Sequence, residues 1–244
     1  MFTQNLFREI LSPLDPFEIR DILNLEILGG NLHLALTNIG FYLVIGGLIT
    51  LILSLVPTNY NKLVSNNWSI SQESLYVTIH NIVRHGQIYF PFIYTLFVFI
   101  LINNLIGMVP YSLASTGHFA LTFALSFTIV LGATILGFQK HGLKFFSLLV
   151  PAGCPFGLLP LLVTIEFISY LARCVSLGLR LGANIVAGHM LLSILSGFVY
   201  NIMNSGIIFF ILAFSGLEMM IALIQAQVFV VLTSSYIKDG LDLH

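Results

Sequence analysis

The sequence predicts an all-α integral membrane protein: an N-terminal surface helix, three spanning helices, one interfacial amphipathic helix, and a C-terminal hairpin of two long, steeply inclined membrane helices. Three observations predict it. Of the 244 residues, 57% are hydrophobic and only 8% charged, with a mean hydropathy of +0.98, and a soluble domain has no core large enough for that much apolar surface. Uncharged runs recur at the ~20 residues that a spanning helix needs. The two apolar segments nearest the C-terminus are longer than any upright span requires. The whole chain, 1–244, reads as a single membrane domain without internal repeats, and its net charge of -1 gives no reason to expect a nucleic-acid partner.

Taken in order, residues 1–30 hold five of the ten acidic residues, and SPLDP at 12–16 supplies a turn and a cap, so a short amphipathic surface helix is expected there. The first eleven residues lack the apolar core of a secretory signal. Residues 34–56 carry no charge and stop at Pro57, which makes them the first span. The polar block that follows contains Leu75, Ile79, Ile82 and Val83 at helical spacing, an interfacial helix over 70–86. Residues 87–109 form the second span, with Asn103 and Asn104 near its end, and 119–138 the third, closed by Lys140 and Lys144. Lys62, Arg84, Lys140, Lys144 and Lys238 then fall on one side, and the positive-inside rule assigns that side to the cytoplasm or matrix. The N-terminus lies opposite.

The last two segments, 145–200 and 207–237, do not fit as upright spans. From Leu161 to Tyr200 there is no proline, and at ~1.5 Å per residue a continuous helix would run about 60 Å against a hydrocarbon core of about 30 Å. Either Gly178, Gly182 or Gly188 breaks it, or both helices lie inclined as a hairpin turning near 201–205. The inclined hairpin is the better fit.

The chemistry concentrates in this hairpin. Glu166, Arg173 and Arg180 are seven residues apart and form one stripe, which Asn184 extends, with Ser176, Ala183 and Ala187 beside it. Small residues there would let another helix come close. Gly178, Gly182 and His189 fall on the opposite face, expected to pack on the last helix, where Glu218 and Gln225 are again seven apart. An arginine inside an apolar run costs on the order of 3 kcal/mol and keeps its proton at any physiological pH, so Arg180 can hold a carboxylate ionised and block proton passage without relaying protons. Glu166, His189 and Glu218 are able to exchange protons. The plainer readings are an Arg173–Glu166 ion pair, His189 and Gln225 as interhelical hydrogen bonds, an Arg180–Glu218 pair, and ordinary solvated histidines at His80, His85, His118 and His141. Cys154 and Cys174 have neither disulfide nor metal spacing, and no nucleotide loop, nucleophile triad or zinc motif occurs, so no metal or other cofactor and no bond chemistry is expected in this chain.

At SLGLRLGANIVAGHMLL (176–192) and GLEMMIALIQAQVFVVLTSSYI (216–237) the chain resembles subunit a of the F-type ATP synthases, and SPLDPFEIR and NNLIGMVPYS (103–112) look like the fungal mitochondrial form. The resemblance implies a proton-translocating stator of the inner membrane, with two half-channels leading to a carboxylate on a ring of c subunits. Its partners would be that ring, the peripheral stalk and other membrane subunits, lipid, protons, and a second complex in a dimer. It implies that Arg180 faces the rotor carboxylate, that Asn184 and Gln225 are polar neighbours, that His189 and Glu218 line the outer half-channel, and that Glu166 lies near the matrix one. Arg173, Ser176 and Asn104 are structural or path residues in this reading, and residues 1–11 a short leader of the kind such proteins lose. A stand-alone secondary transporter or proton antiporter is the alternative from another class, and a haem-binding subunit a third, for which only His189 lies deep in a helix.

Overall fold

The computed structural model describes residues 17–27, 32–56, 66–83, 87–109, 112–150, 157–202 and 205–241. Strands β1 (Asp21–Ile27) and β2 (Leu32–Thr37) are followed by helices α1 (Asn38–Leu55), α2 (Asn67–Ile82), α3 (Phe90–Gly107), α4 (Phe119–His141), α5 (Leu159–Ile202) and α6 (Ser205–Leu241). Five of these, α1 and α3 to α6, are long and apolar enough to cross a membrane.

The N-terminal surface helix expected within 1–30 is replaced, over its described part, by an antiparallel hairpin. β1 and β2 pair with Leu25 opposite Leu34 and Ile27 opposite Leu32, and a bulge lies between Asp21 and Leu23. The reason is in the pattern: Leu23, Asn24, Leu25, Glu26, Ile27 and Leu32, His33, Leu34 alternate with period two around Gly29 and Gly30, which is a hairpin signal that the acidic content obscured. The first spanning helix therefore starts at Asn38, where the Thr37 hydroxyl accepts from the Gly40 N–H, rather than at residue 34. The SPLDP turn, Pro57, Lys62, Arg84, His85 and Cys154 lie outside the described residues.

α2 buries the stripe expected of it. Ile79 and Val83 are fully buried, with Leu75 and Ile82 packed beside them, against Phe90 and Ile93 at the start of α3. That apolar core continues through Phe97 and Ile100 of α3 and Leu177 and Leu181 of α5 to Phe229 and Val230 of α6.

α5 is one helix of 44 residues, about 66 Å by its rise, so Gly178, Gly182 and Gly188 do not break it. It begins at Leu159; residues 142–149 are 3-10 turns that follow the positive φ of Gly142. Gly178 and Gly182 pack on α4 rather than on α6 as expected. A Cβ on Gly178 would lie 2.9 Å from Ser126 Oγ, and one on Gly182 3.1 Å from Thr122 Oγ1. Spacing identifies a small face on a helix but not which neighbour occupies it. The far end of α6 is fastened to α4. The Leu241 carbonyl accepts from Lys140 Nζ at 3.0 Å and from His141 Nε2 at 2.8 Å, and Gly240 packs so near α4 that a Cβ on it would lie 2.9 Å from the Ala133 carbonyl oxygen. A carbonyl at a helix C-terminus has no partner within its own helix, so these basic side chains cap it.

Candidate functional site: an exposed arginine and a buried carboxylate

α5 turns one polar face outward. Arg180, Ser176 and Ala183 line an open groove whose remaining wall is apolar, including Ile168, Leu171 and Leu179. Large hydrophobics along the same stretch, among them Ile165, Ile168 and Leu171, are half exposed or more. Arg180 is exposed, and no ion pair joins it to Glu218 among the described residues. That disposes of the buried-pair reading.

The next cation is held differently. Arg173 lies 3.8 Å from Glu166 on its own helix and 3.3 Å from Asp239 Oδ2 at the end of α6, where Nη1 donates a hydrogen bond. The Arg173–Glu166 pair is present, but as two sides of a three-member cluster. Sequence reasoning missed Asp239. The signal was available, because Glu218, Gln225 and Asp239 are spaced by seven and fourteen residues, the repeat used to find the α5 stripe.

The inward side holds a small, half-open pocket in which a few polar groups stand among apolar ones. Asn184, Gly188 and His189 of α5, Glu218 and Ile221 of α6, and Met108 at the end of α3 line a pocket of roughly 210 Å³. Glu218 is 5% exposed, and neither carboxylate oxygen has a hydrogen-bond partner; His189 Nε2 is also buried without one. Gly188 makes the room: a Cβ there would lie 2.9 Å from Glu218 Oε1. His189 and Glu218 thus share one cavity.

Two interhelical bonds border the cavity. Asn184 Nδ2 donates to Gln225 Oε1 at 2.8 Å, so Gln225 does act as interhelical glue, and Gln227 is exposed. Asn104 Nδ2 donates to the Ala222 carbonyl at 3.3 Å, tying α3 to α6, while its Oδ1 is buried and unpartnered. Asn103, beside it, donates to Phe99 O and accepts from Ser115.

His118 departs from expectation. It is not an ordinary solvated loop histidine, because its Nε2 is buried without a partner, and burial pushes its imidazole below the usual histidine range. His80, by contrast, stacks on Tyr76, and His141 caps α6.

Buried polar groups are nearly always hydrogen-bonded. The unpartnered ones among the described residues are on Asn104, Thr116, His118, His189, Glu218 and Gln225, and His189 and Glu218 of these line the cavity. A polar site with several free donors and acceptors is one that water can occupy. What the arrangement offers chemically is a buried carboxylate on α6 that can gain and lose a proton, while a permanent cation stands apart on the outer face of α5.

The family model described as "ATP synthase A chain" matches residues 40–238. A protein named "ATP synthase subunit a" from Neurospora crassa is 72% identical, over 98% of this chain and 97% of its own length. Proteins of that name from Podospora anserina and Emericella nidulans are 70% and 69% identical over nearly their whole lengths. With its cavity and its exposed arginine inside the matched region, the chain belongs to the ATP synthase A chain family.

Proposed function

We propose that this chain is the proton-translocating stator subunit of a fungal mitochondrial ATP synthase, a multi-span protein of the inner membrane. Membership in the family, over a region that contains every candidate site residue, carries the reading. The stand-alone transporter is not favoured by it.

The exposed face of α5 supplies the physical argument for a partner. An arginine turned toward lipid costs on the order of 3 kcal/mol or more, and the apolar side chains around Arg180 offer it no counter-charge. A ring of c subunits, each bringing a mid-membrane carboxylate, covers that face and supplies the counter-charge. α5 and α6 then lie steeply inclined against the ring, since helices of about 66 and 56 Å exceed a 30 Å core. The N-terminus stands in the intermembrane space and the C-terminus in the matrix.

In this reading protons enter through the cavity of His189 and Glu218, neutralise a ring carboxylate, and travel with the ring. They leave on the far side near Glu166, where Arg173 and Asp239 hold a charged cluster. Arg180 stands between the two routes. Its guanidinium never gives up its proton, so it favours the ionised ring carboxylate and prevents a direct leak between half-channels. Each charge crossing 100 mV delivers about 2.3 kcal/mol, which the ring returns as rotation. Asn184 and Gln225 fix the spacing of the two long helices through their hydrogen bond, and Asn104 fixes α3 against α6.

Replacing Arg180 with Ala in the assembled complex abolishes proton-driven ATP synthesis. Synthesis at the normal rate in that variant refutes the reading.

A further inference from the structure

A phenyl ring from the N-terminal segment meets two imidazoles. Phe17 meets His118 edge to face, with ring centroids 6.2 Å apart, and His189 in the same way at 6.1 Å. Both geometries are favourable for aromatic pairs. The ring also packs on the small cluster of Ala114, Ile185 and Ala222, which joins the 112–118 segment to α5 and α6. Gly117 admits it: a Cβ there would lie 2.6 Å from Phe17 Cε1, closer than any side chain could tolerate.

The position of Phe17 is held from behind. Asn38, buried at the start of α1, donates from Nδ2 to the Glu18 carbonyl at 3.0 Å and accepts at Oδ1 from the Arg20 N–H at 3.3 Å. The Asn38 N–H donates to the Arg20 carbonyl at 3.0 Å. Three bonds from one residue thus clasp the chain immediately after Phe17, and Glu18 and Arg20 form their own ion pair at 2.9 Å.

His118 stands at the entrance to α4 on a segment, 110–118, that contains no lysine or arginine. Its Nε2 and the Thr116 hydroxyl are buried without partners on that segment, as are His189 Nε2 and the Glu218 carboxylate in the cavity, and Phe17 touches both His118 and His189. We infer that His118 is a further station on the proton entry path, preceding His189, and that Phe17 is the positioning residue that keeps the two imidazoles apart and oriented. The inference rests on the stator reading and extends its outer half-channel by one titratable group.

The test uses the assembled ATP synthase in sealed inner-membrane vesicles. His118→Ala slows proton-driven ATP synthesis several-fold, and imidazole restores the rate when added at a concentration that leaves the unmodified complex unaffected. A small diffusible base can replace a missing proton carrier but not a missing packing contact. Phe17→Ala also slows synthesis several-fold, without rescue, because the carrier is still present and only its placement is lost. His118→Gln, which keeps most of the volume, separates folding from function: it is expected to assemble normally and to be as slow as His118→Ala. Full-rate synthesis in His118→Gln, or a slow His118→Ala complex that assembles but ignores imidazole, overturns the role of His118, and a full-rate Phe17→Ala complex overturns that of the ring. Arg180→Ala run in parallel distinguishes the two levels. If it synthesises ATP normally, the stator reading fails; if it is inactive while the His118 variants are normal, only this inference fails.

Discussion

Arg180 and Glu218 both carry charge chemistry on the two long helices, yet the fold treats them in opposite ways. The arginine lies on an uncovered face with apolar neighbours, and the carboxylate is buried in a small pocket with no hydrogen-bond partner. A group that never changes protonation can be left at a surface and lent a partner from outside. A carboxylate is able to gain and lose a proton, and a small cavity shared with His189 and Asn184 leaves both states room. The gap between the two sites is bridged by side-chain amides, Asn184 on one helix and Gln225 on the other, which do not titrate.

This contrast can be broken from either side. The largest effect is expected from Glu218→Gln, which keeps the shape and the buried polar group but removes the titratable oxygen; proton-driven ATP synthesis by the assembled complex should fall by more than an order of magnitude while assembly on native gels is unchanged. Gly188→Val comes next. Its side chain has to displace the Glu218 carboxylate, so synthesis should fall several-fold, and Gly188→Ala should lie between that variant and the parent. Gln225→Leu sharpens the comparison by leaving both charged sites intact while orphaning the Asn184 amide. The expected cost is about 0.5 to 1.5 kcal/mol, that of one hydrogen bond to an exposed amide, read as a lower thermal stability of the membrane sector, with a smaller loss of rate. Arg173→Gln should cost least in stability, within about 1 kcal/mol, because Arg173 and Glu166 are more than a third exposed and solvent screens such pairs.

The hairpin chemistry was readable in the sequence because charges are rare there and a spacing of seven keeps residues on one helix face. Arg180, Glu166, Arg173 and Asn184 were found that way, and the same rule extended by two steps would have reached Asp239. The N-terminal hairpin was missed because five acidic residues in thirty drew more weight than the alternation around Gly29 and Gly30. The partner of the Gly178 and Gly182 face was not legible at all, since a stripe of small residues says that something comes close without saying what. His118 illustrates a different limit. Nothing local distinguishes it from a solvated histidine; it is the arrival of Phe17, a hundred residues earlier in the chain, that covers it.

The capped end of α6 has a consequence for mechanics. Were a helix of 37 residues to shift along its axis by a turn, Gln225 and Asp239 would lose Asn184 and Arg173 on α5, and Glu218 would leave its pocket. Lys140 and His141 holding the last carbonyl, together with the close approach of Gly240 to Ala133, make one end of that helix a fixed origin. Measured from there, the positions of three polar side chains along some thirty ångströms of helix are set like marks on a ruler clamped at zero.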